Sequence, residues 1–287
     1  MVRILPQIQN VPRIEKNWME HAATDDLSYE TIGKAMEVHR QLGPGLDELF
    51  YHELLATKMR TSGIQHEHKP QGKLVHKGIV ADEFEADLLV GSKLVVELKV
   101  LWERFHPEHL LQIICYQKFW HRPVGLLFDF GKESLIHKRV AYSPVKVSWE
   151  PAGLLASPPS FVSDRETLQL IAESIRVIMD TYGLGYRATT YRGLLHAEVT
   201  STGTSSLRQP TVDVHVEGLV SHQTQLDCIV INSRCAVKVT ALQDIQRPAD
   251  RAILQTYLRL LKLPWGLVVN FGKRQIETQF AVAPRPL

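Results

Sequence analysis

Apolar and polar positions alternate along the chain with periods that divide it into recognisable elements. From Asp26, the segment DLSYETIGKAMEVHRQLGPG carries Ile32, Ala35, Met36 and Val38 at helical spacing. Asp26 or Ser28 is the expected N-cap, and Gly43-Pro44-Gly45 a stop. A second helix is expected over 48–61, with Leu49, Leu54 and Leu55 inward and Gly63 ending it. Strand patterns follow over 65–75, 79–90 and 94–101, then a helix from Pro107 to Trp120 with Leu110, Leu111, Ile114 and Phe119 as its apolar face. VGLLFDF (124–130) is a near-continuous apolar run, the mark of a buried strand. Residues 140–164 contain four prolines and several serines, a linker composition. The first 25 residues lack periodicity and are expected to form an arm.

The same pattern occurs twice. Gly43, Gly45, Tyr51, Leu54-Leu55, Gly63, Pro70, Gly78 and Asp87 recur 140 positions later as Gly183, Gly185, Tyr191, Leu194-Leu195, Gly203, Pro210, Gly218 and Asp227. Tyr116, Gly125 and Phe130-Gly131-Lys132 recur 141 positions later as Tyr257, Gly266 and Phe271-Gly272-Lys273. A nearly constant offset over this length predicts two copies of one αβ domain. The expected organisation is an arm over 1–25, a first domain over 26–145, a linker over 146–164 and a second domain over 165–287, an internal pseudo-dimer.

Composition narrows the setting. The 287 residues are 44% hydrophobic and 22% charged, as in a folded protein. Net charge is only +2, so any nucleic-acid site must be a local groove rather than a polybasic surface. There is no apolar run long enough to span a bilayer and no secretion-signal pattern at the start, and Cys115, Cys228 and Cys235 form no CxxC pair. Buried thiols in a reducing cytoplasm, with no membrane partner, are the expectation.

The candidate chemistry lies in EADLLVGSKLVVELKV (85–100). Two β-branched runs flank Gly91-Ser92-Lys93, and a three-residue loop would set Asp87 directly across a hairpin from Glu97. Lys99, two residues on, shares the face of Glu97. Opposed carboxylates repel unless a positive charge lies between them, and a hard divalent cation such as Mg²⁺ or Mn²⁺ suits them. Two acids on the wet face of an amphipathic sheet is the other reading. The second copy weighs between them: it keeps the glycines, prolines and apolar positions but has Ala188 for Glu48, Val237 or Lys238 for Glu97, Val239 or Thr240 for Lys99, and Ile253 for Gln112. The fold is expected to stand without the acids, which points to a functional role for those of the first copy. His66-Glu67-His68 could present two histidines on one strand face, but no nearby cysteine or third histidine is expected to complete the set and Arg208 stands at the position of His68 in the second copy, so a polar strand edge is expected there.

Gly45-x-x-Glu48-x-x-Tyr51, followed in order by Asp87, ELK (Glu97–Lys99) and a helix bearing Gln112 and Tyr116, resembles the GxxExxY family of the PD-(D/E)XK nuclease superfamily. The resemblance covers residues 28–140 well and 166–280 in outline. It implies an α/β fold, here a tandem duplication of a restriction-endonuclease-like αβββαβ domain with a central mixed sheet. It also implies metal-dependent phosphodiester hydrolysis, with DNA the expected substrate, cleaved by the first domain. On this reading Asp87, Glu97, the Leu98 carbonyl and Glu48 hold Mg²⁺ or Mn²⁺. Lys99 positions or deprotonates the attacking water, Gln112 orients it or a phosphate oxygen, and the second domain is a degenerate pseudo-nuclease. The alternative is a non-catalytic nucleic-acid-binding or scaffold protein on the same fold.

Overall fold

A computed structural model describes residues 18–144, 147–162, 164–214, 222–241 and 247–283, with side chains from residue 25 onward. Two compact units divide the chain: 1–73 with 83–143, and 74–82 with 144–287.

In the first repeat, whose residues 74–82 fall in the second unit, α1 (Trp18–Leu42) and α2 (Glu48–Thr61) precede β1 (His66–His68), β2 (Gln71–His76), β3 (Ile79–Glu85), β4 (Leu88–Val90) and β5 (Leu94–Lys99). Next come α3 (Pro107–Phe119), β6 (Val124–Asp129) and β7 (Ile136–Ala141). A five-stranded sheet runs in the order β1-β4-β5-β6-β7. The β5–β6 pair is parallel and the others antiparallel, so the sheet is mixed. β2 and β3 pair separately as a two-stranded ribbon.

Alternation along β5 divides the two faces. Leu94, Val96 and Leu98 join Ala35, Val38, Tyr51, Leu55, Met59, Leu126 and Phe128 in one fully buried cluster beneath α1 and α2. Val95, Glu97 and Lys99 therefore point the other way, toward α3, whose Ile113 packs so closely that a Cβ on Gly125 of β6 would lie 2.5 Å from it. Gly266 meets a comparable constraint in the second unit, where its Cβ would lie 2.6 Å from the Ala236 carbonyl oxygen.

The second unit contains α4 (Ala152–Leu155), α5 (Arg165–Tyr182), α6 (Ala188–Ser201), β8 (Ser206–Arg208), β9 (Thr211–Val214), β10 (His222–Gln225), β11 (Ile229–Ile231), β12 (Cys235–Ala241), α7 (Pro248–Leu261), β13 (Trp265–Phe271) and β14 (Ile276–Val282). Its five-stranded sheet, β8-β11-β12-β13-β14, repeats the order of the first and again has one parallel pair, β12–β13. The repeated glycines and tyrosine share one task. Gly43 (φ 67°) and Gly183 (φ 62°) follow the last turn of α1 and α5 in a conformation that favours glycine. The Tyr51 hydroxyl donates to the Gly43 carbonyl at 2.7 Å, and that of Tyr191 to the Gly183 carbonyl at 2.6 Å. Each tyrosine is fully buried, tying the interhelix loop to the core.

Several local expectations need correction. α1 begins at Trp18, so Asp26 and Ser28 lie inside a helix rather than cap one, and part of the expected arm is helical. Leu49 is 56% exposed because α2 turns Tyr51, His52, Leu55 and Met59 inward instead. The buried face of α3 is Ile113, Cys115, Tyr116, Gln117 and Phe119, one position away from the face expected around Leu110 and Ile114. The run 65–75 is broken at Lys69, whose positive φ and following Pro70 end the ladder. Residues 1–17 and Gly218 fall outside the described residues. All three cysteines are free and buried.

Candidate active site

The hairpin that carries the acids has the three-residue loop its sequence calls for. Val90 pairs with Leu94, Leu89 with Val95 and Leu88 with Val96, so one step beyond the ladder Asp87 stands across from Glu97. Asp87 precedes β4 and anchors itself through Oδ2, which accepts the Leu98 backbone N–H at 2.7 Å. Glu97, only 3% exposed, accepts from Lys99 Nζ at 2.7 Å and from Gln112 Nε2 at 2.7 Å, both on Oε1. The Gln112 amide is held in turn by the Tyr116 hydroxyl at 3.0 Å. Among the described residues, Glu97 Oε2 is buried with no hydrogen-bond partner. Glu97, Lys99 and Gln112 are in direct contact, Asp87 is tied to the intervening Leu98 backbone, and Asp87 and Glu48 are coupled electrostatically to Glu97 and Lys99.

Charge balance at this site is poor. Burial, with the Asp87 carboxylate beside it, pushes the Glu97 carboxyl up to about 8. Burial also raises Glu48 above the ordinary carboxylate range, against the pull of Lys99. Burial lowers the Lys99 ammonium, but the three surrounding acids outweigh it and hold the lysine above its usual value. Three carboxyl groups around one ammonium leave room for further positive charge, and Glu97 Oε2 is buried there unsatisfied among the described residues.

Sequence reading missed one member of this neighbourhood. His52, 2% exposed, lies one helical turn after Glu48, and its Nε2 lies 3.2 Å from the Asp87 carbonyl and 3.6 Å from Asp87 Oδ1. The i, i+4 spacing from Glu48 was the available signal. The expectation that His68 lacks a nearby histidine is also overturned, since His68 Nε2 is 2.7 Å from His52 Nδ1. The two residues are 16 apart in sequence, and only the packing of α2 against β1 joins them.

The second unit resolves where the extra residue enters. The Leu226 N–H bonds to Pro210 as that of Ala86 does to Pro70, an offset of 140, whereas Gln209 N bonds to Cys228 O as Lys69 N does to Asp87 O, an offset of 141. The insertion thus lies at Asp227-Cys228, and β12 pairs with β13 in a register that puts Lys238 in the place of Glu97 and Thr240 in that of Lys99. Lys238 Nζ lies 3.4 Å from Asp227 Oδ2, and Arg192, in the place of His52, forms an ion pair with Oδ1. Thr240 donates to Asn270, which stands where the first unit has Asp129. One carboxylate therefore meets two built-in cations.

A profile of the PD-(D/E)XK nuclease superfamily matches residues 25–140 and again 165–281. The chain belongs to the PD-(D/E)XK nuclease superfamily. Both matched regions carry the same mixed sheet, so the tandem architecture is that of two superfamily repeats. Nuclease-type phosphodiester chemistry and a nucleic-acid substrate are what membership of this superfamily suggests, and divalent metal ions are its usual cofactors. A search of curated proteins finds no match to the chain. Among the described residues, no helix is long and apolar enough to cross a membrane.

Proposed function

We propose that the protein is a GxxExxY-type, Mg²⁺- or Mn²⁺-dependent nuclease that cuts DNA with its first repeat and uses its second as a pseudo-nuclease for binding or regulation. The observation that carries this reading is the contrast between two equivalent hairpins. One crowds Asp87, Glu97 and Glu48 around a single lysine and leaves Glu97 Oε2 without a partner among the described residues. The other replaces Glu97 by Lys238 and neutralises its remaining Asp227 internally.

The donor set fits a hard divalent cation: Asp87, Glu97, the Leu98 carbonyl and Glu48 would hold it. When bound, the ion supplies Lewis acidity toward the scissile phosphate and lowers the pKa of the attacking water. Gln112, bonded to Glu97 Oε1, acts as a positioning residue that turns Oε2 toward the ligand side. Lys99 donates to the same oxygen and has two further N–H groups with which to orient water or offset charge on the phosphate. The functional boundaries we assign are 26–145 for the catalytic domain, 146–164 for the linker and 165–287 for the pseudo-nuclease. Three buried free thiols accord with work in the reducing cytoplasm.

The test is direct. Plasmid, linear and single-stranded DNA and RNA are incubated with the full chain and Mg²⁺, Mn²⁺ or EDTA, beside Glu97→Ala and Lys99→Ala. Metal-dependent DNA cleavage lost in both variants is expected. Cleavage that survives EDTA or either substitution refutes the mechanism, and tight DNA binding without cleavage points to a non-catalytic role.

A further inference from the structure

Beside the carboxylate site, three residues from α2 and β1 bring together side chains of a different chemistry. His52 Nδ1 and His68 Nε2 are 2.7 Å apart, and Glu53 Oε1 lies 3.7 Å from the same His68 nitrogen. One ligand atom from each falls within 4.8 Å of the others. We propose that His52, His68 and Glu53 form a second cation site, selective for a zinc-class transition ion and held in orientation by Asp87.

Ligand chemistry decides the class of ion. Two imidazoles and one carboxylate are a borderline-soft donor set, suited to Zn²⁺ or Co²⁺ with a fourth position open to water, whereas Mg²⁺ prefers oxygen donors alone. His52 Nε2 faces the Asp87 carbonyl and carboxylate, where an N–H can donate, leaving the Nδ1 lone pair turned toward His68. A carboxylate or carbonyl that accepts from the far nitrogen of a ligating histidine fixes the tautomer and the ring orientation. Two nitrogens on one tetrahedral zinc stand about 3.3 Å apart, so the pair must open by about half an ångström. His68, a third exposed on the edge strand β1, is free to make that move while His52 stays fixed in the core.

The second repeat again serves as an internal control. Arg192, Gly193 and Arg208 occupy the three positions, so none of the ligands survives there while the local fold does. A His52–His68 hydrogen bond is therefore not a requirement of the architecture. The shared element is Asp87: it would anchor one ion through its carboxylate and the other through His52, which couples the two sites across a single residue.

Binding, not cleavage, is the readout, so the outcome is independent of whether the first repeat cuts DNA. The full chain is titrated with Zn²⁺ by calorimetry and with Co²⁺ by visible absorption, both in excess Mg²⁺, and each variant's melting curve verifies its fold. One ion per chain with tetrahedral Co²⁺ bands is expected. His68→Gln and Glu53→Gln each weaken it roughly tenfold or more, and both weaken it more than Glu97→Gln does. Zn²⁺ affinity that falls with Glu97→Gln but survives His68→Gln and Glu53→Gln puts the ion among the carboxylates and overturns the proposal. So does a full chain that binds no Zn²⁺.

Discussion

Glu97→Gln should stabilise the metal-free protein, and by an amount that depends on pH in a defined way. In the folded state the Glu97 carboxyl titrates near 8, against an ordinary value of 4.5 that the unfolded chain should show. Between those values the native state holds a proton that the unfolded state has released. The contribution is therefore fully present below 4.5 and is lost as pH rises through about 8, at about 1.4 kcal/mol per pH unit. That interval sets an upper bound of about 5 kcal/mol on the total. The amide of the variant is neutral at every pH and keeps the shape of the acid, so its stability curve lacks this slope. In EDTA the variant should match the native sequence near pH 5 and exceed it by about 3–5 kcal/mol near pH 9. Urea denaturation followed by labelling of Cys115, fully buried in α3, reports unfolding of the first unit. Mg²⁺ should recover the lost stability of the native sequence at high pH and do little for the variant. Parallel stability curves for the two proteins from pH 5 to pH 9 would refute both the assigned burial of charge and the cation deficit inferred from it.

Other consequences are simpler to measure. Lys99→Met should lower DNA cleavage by about 10²-fold or more, whereas Lys238→Met should leave cleavage intact and cost the second unit about 1–3 kcal/mol by removing a partner of Asp227; equal effects would contradict the division of labour. Tyr51→Phe and Tyr191→Phe each remove a buried hydrogen bond to a loop carbonyl and should cost about 1–3 kcal/mol in their own unit, read from denaturation curves. Gly193→Ala would drive a Cβ into the Ala81 carbonyl, costing the second unit about 3 kcal/mol and speeding tryptic cleavage at Lys77 in the β2–β3 turn; unchanged digestion would show that the backbone relaxes.

Much of this protein is legible in its sequence, for reasons that can be named residue by residue. The hairpin register followed from an even spacing and a three-residue loop, because pairing in a sheet is a matter of counting, and Asp87 duly faces Glu97. The repeat was visible because its markers, Gly43 and Tyr51 with Gly183 and Tyr191, serve backbone conformations and a buried hydroxyl bond that few other residues can supply. Helix faces were less legible. Leu49, expected inward, is exposed, and Ile113, not expected, is buried, because short helices are oriented by what packs on both sides of them, and on α2 His52 takes an inner position.

What only the tertiary structure decided was the company each charged group keeps. Counting sets Glu97 opposite Asp87, but only the closure of α3 over it buries the carboxyl and brings Gln112 to Oε1. The one-residue slip at Asp227-Cys228 determines that Lys238, and not Val237, replaces Glu97, and no count of residues alone could choose between them. His52 and His68 meet across 16 residues of chain because α2 packs on β1. Local spacing determines which way a side chain points, but burial and distance determine what charge it carries, and those come from residues remote in sequence.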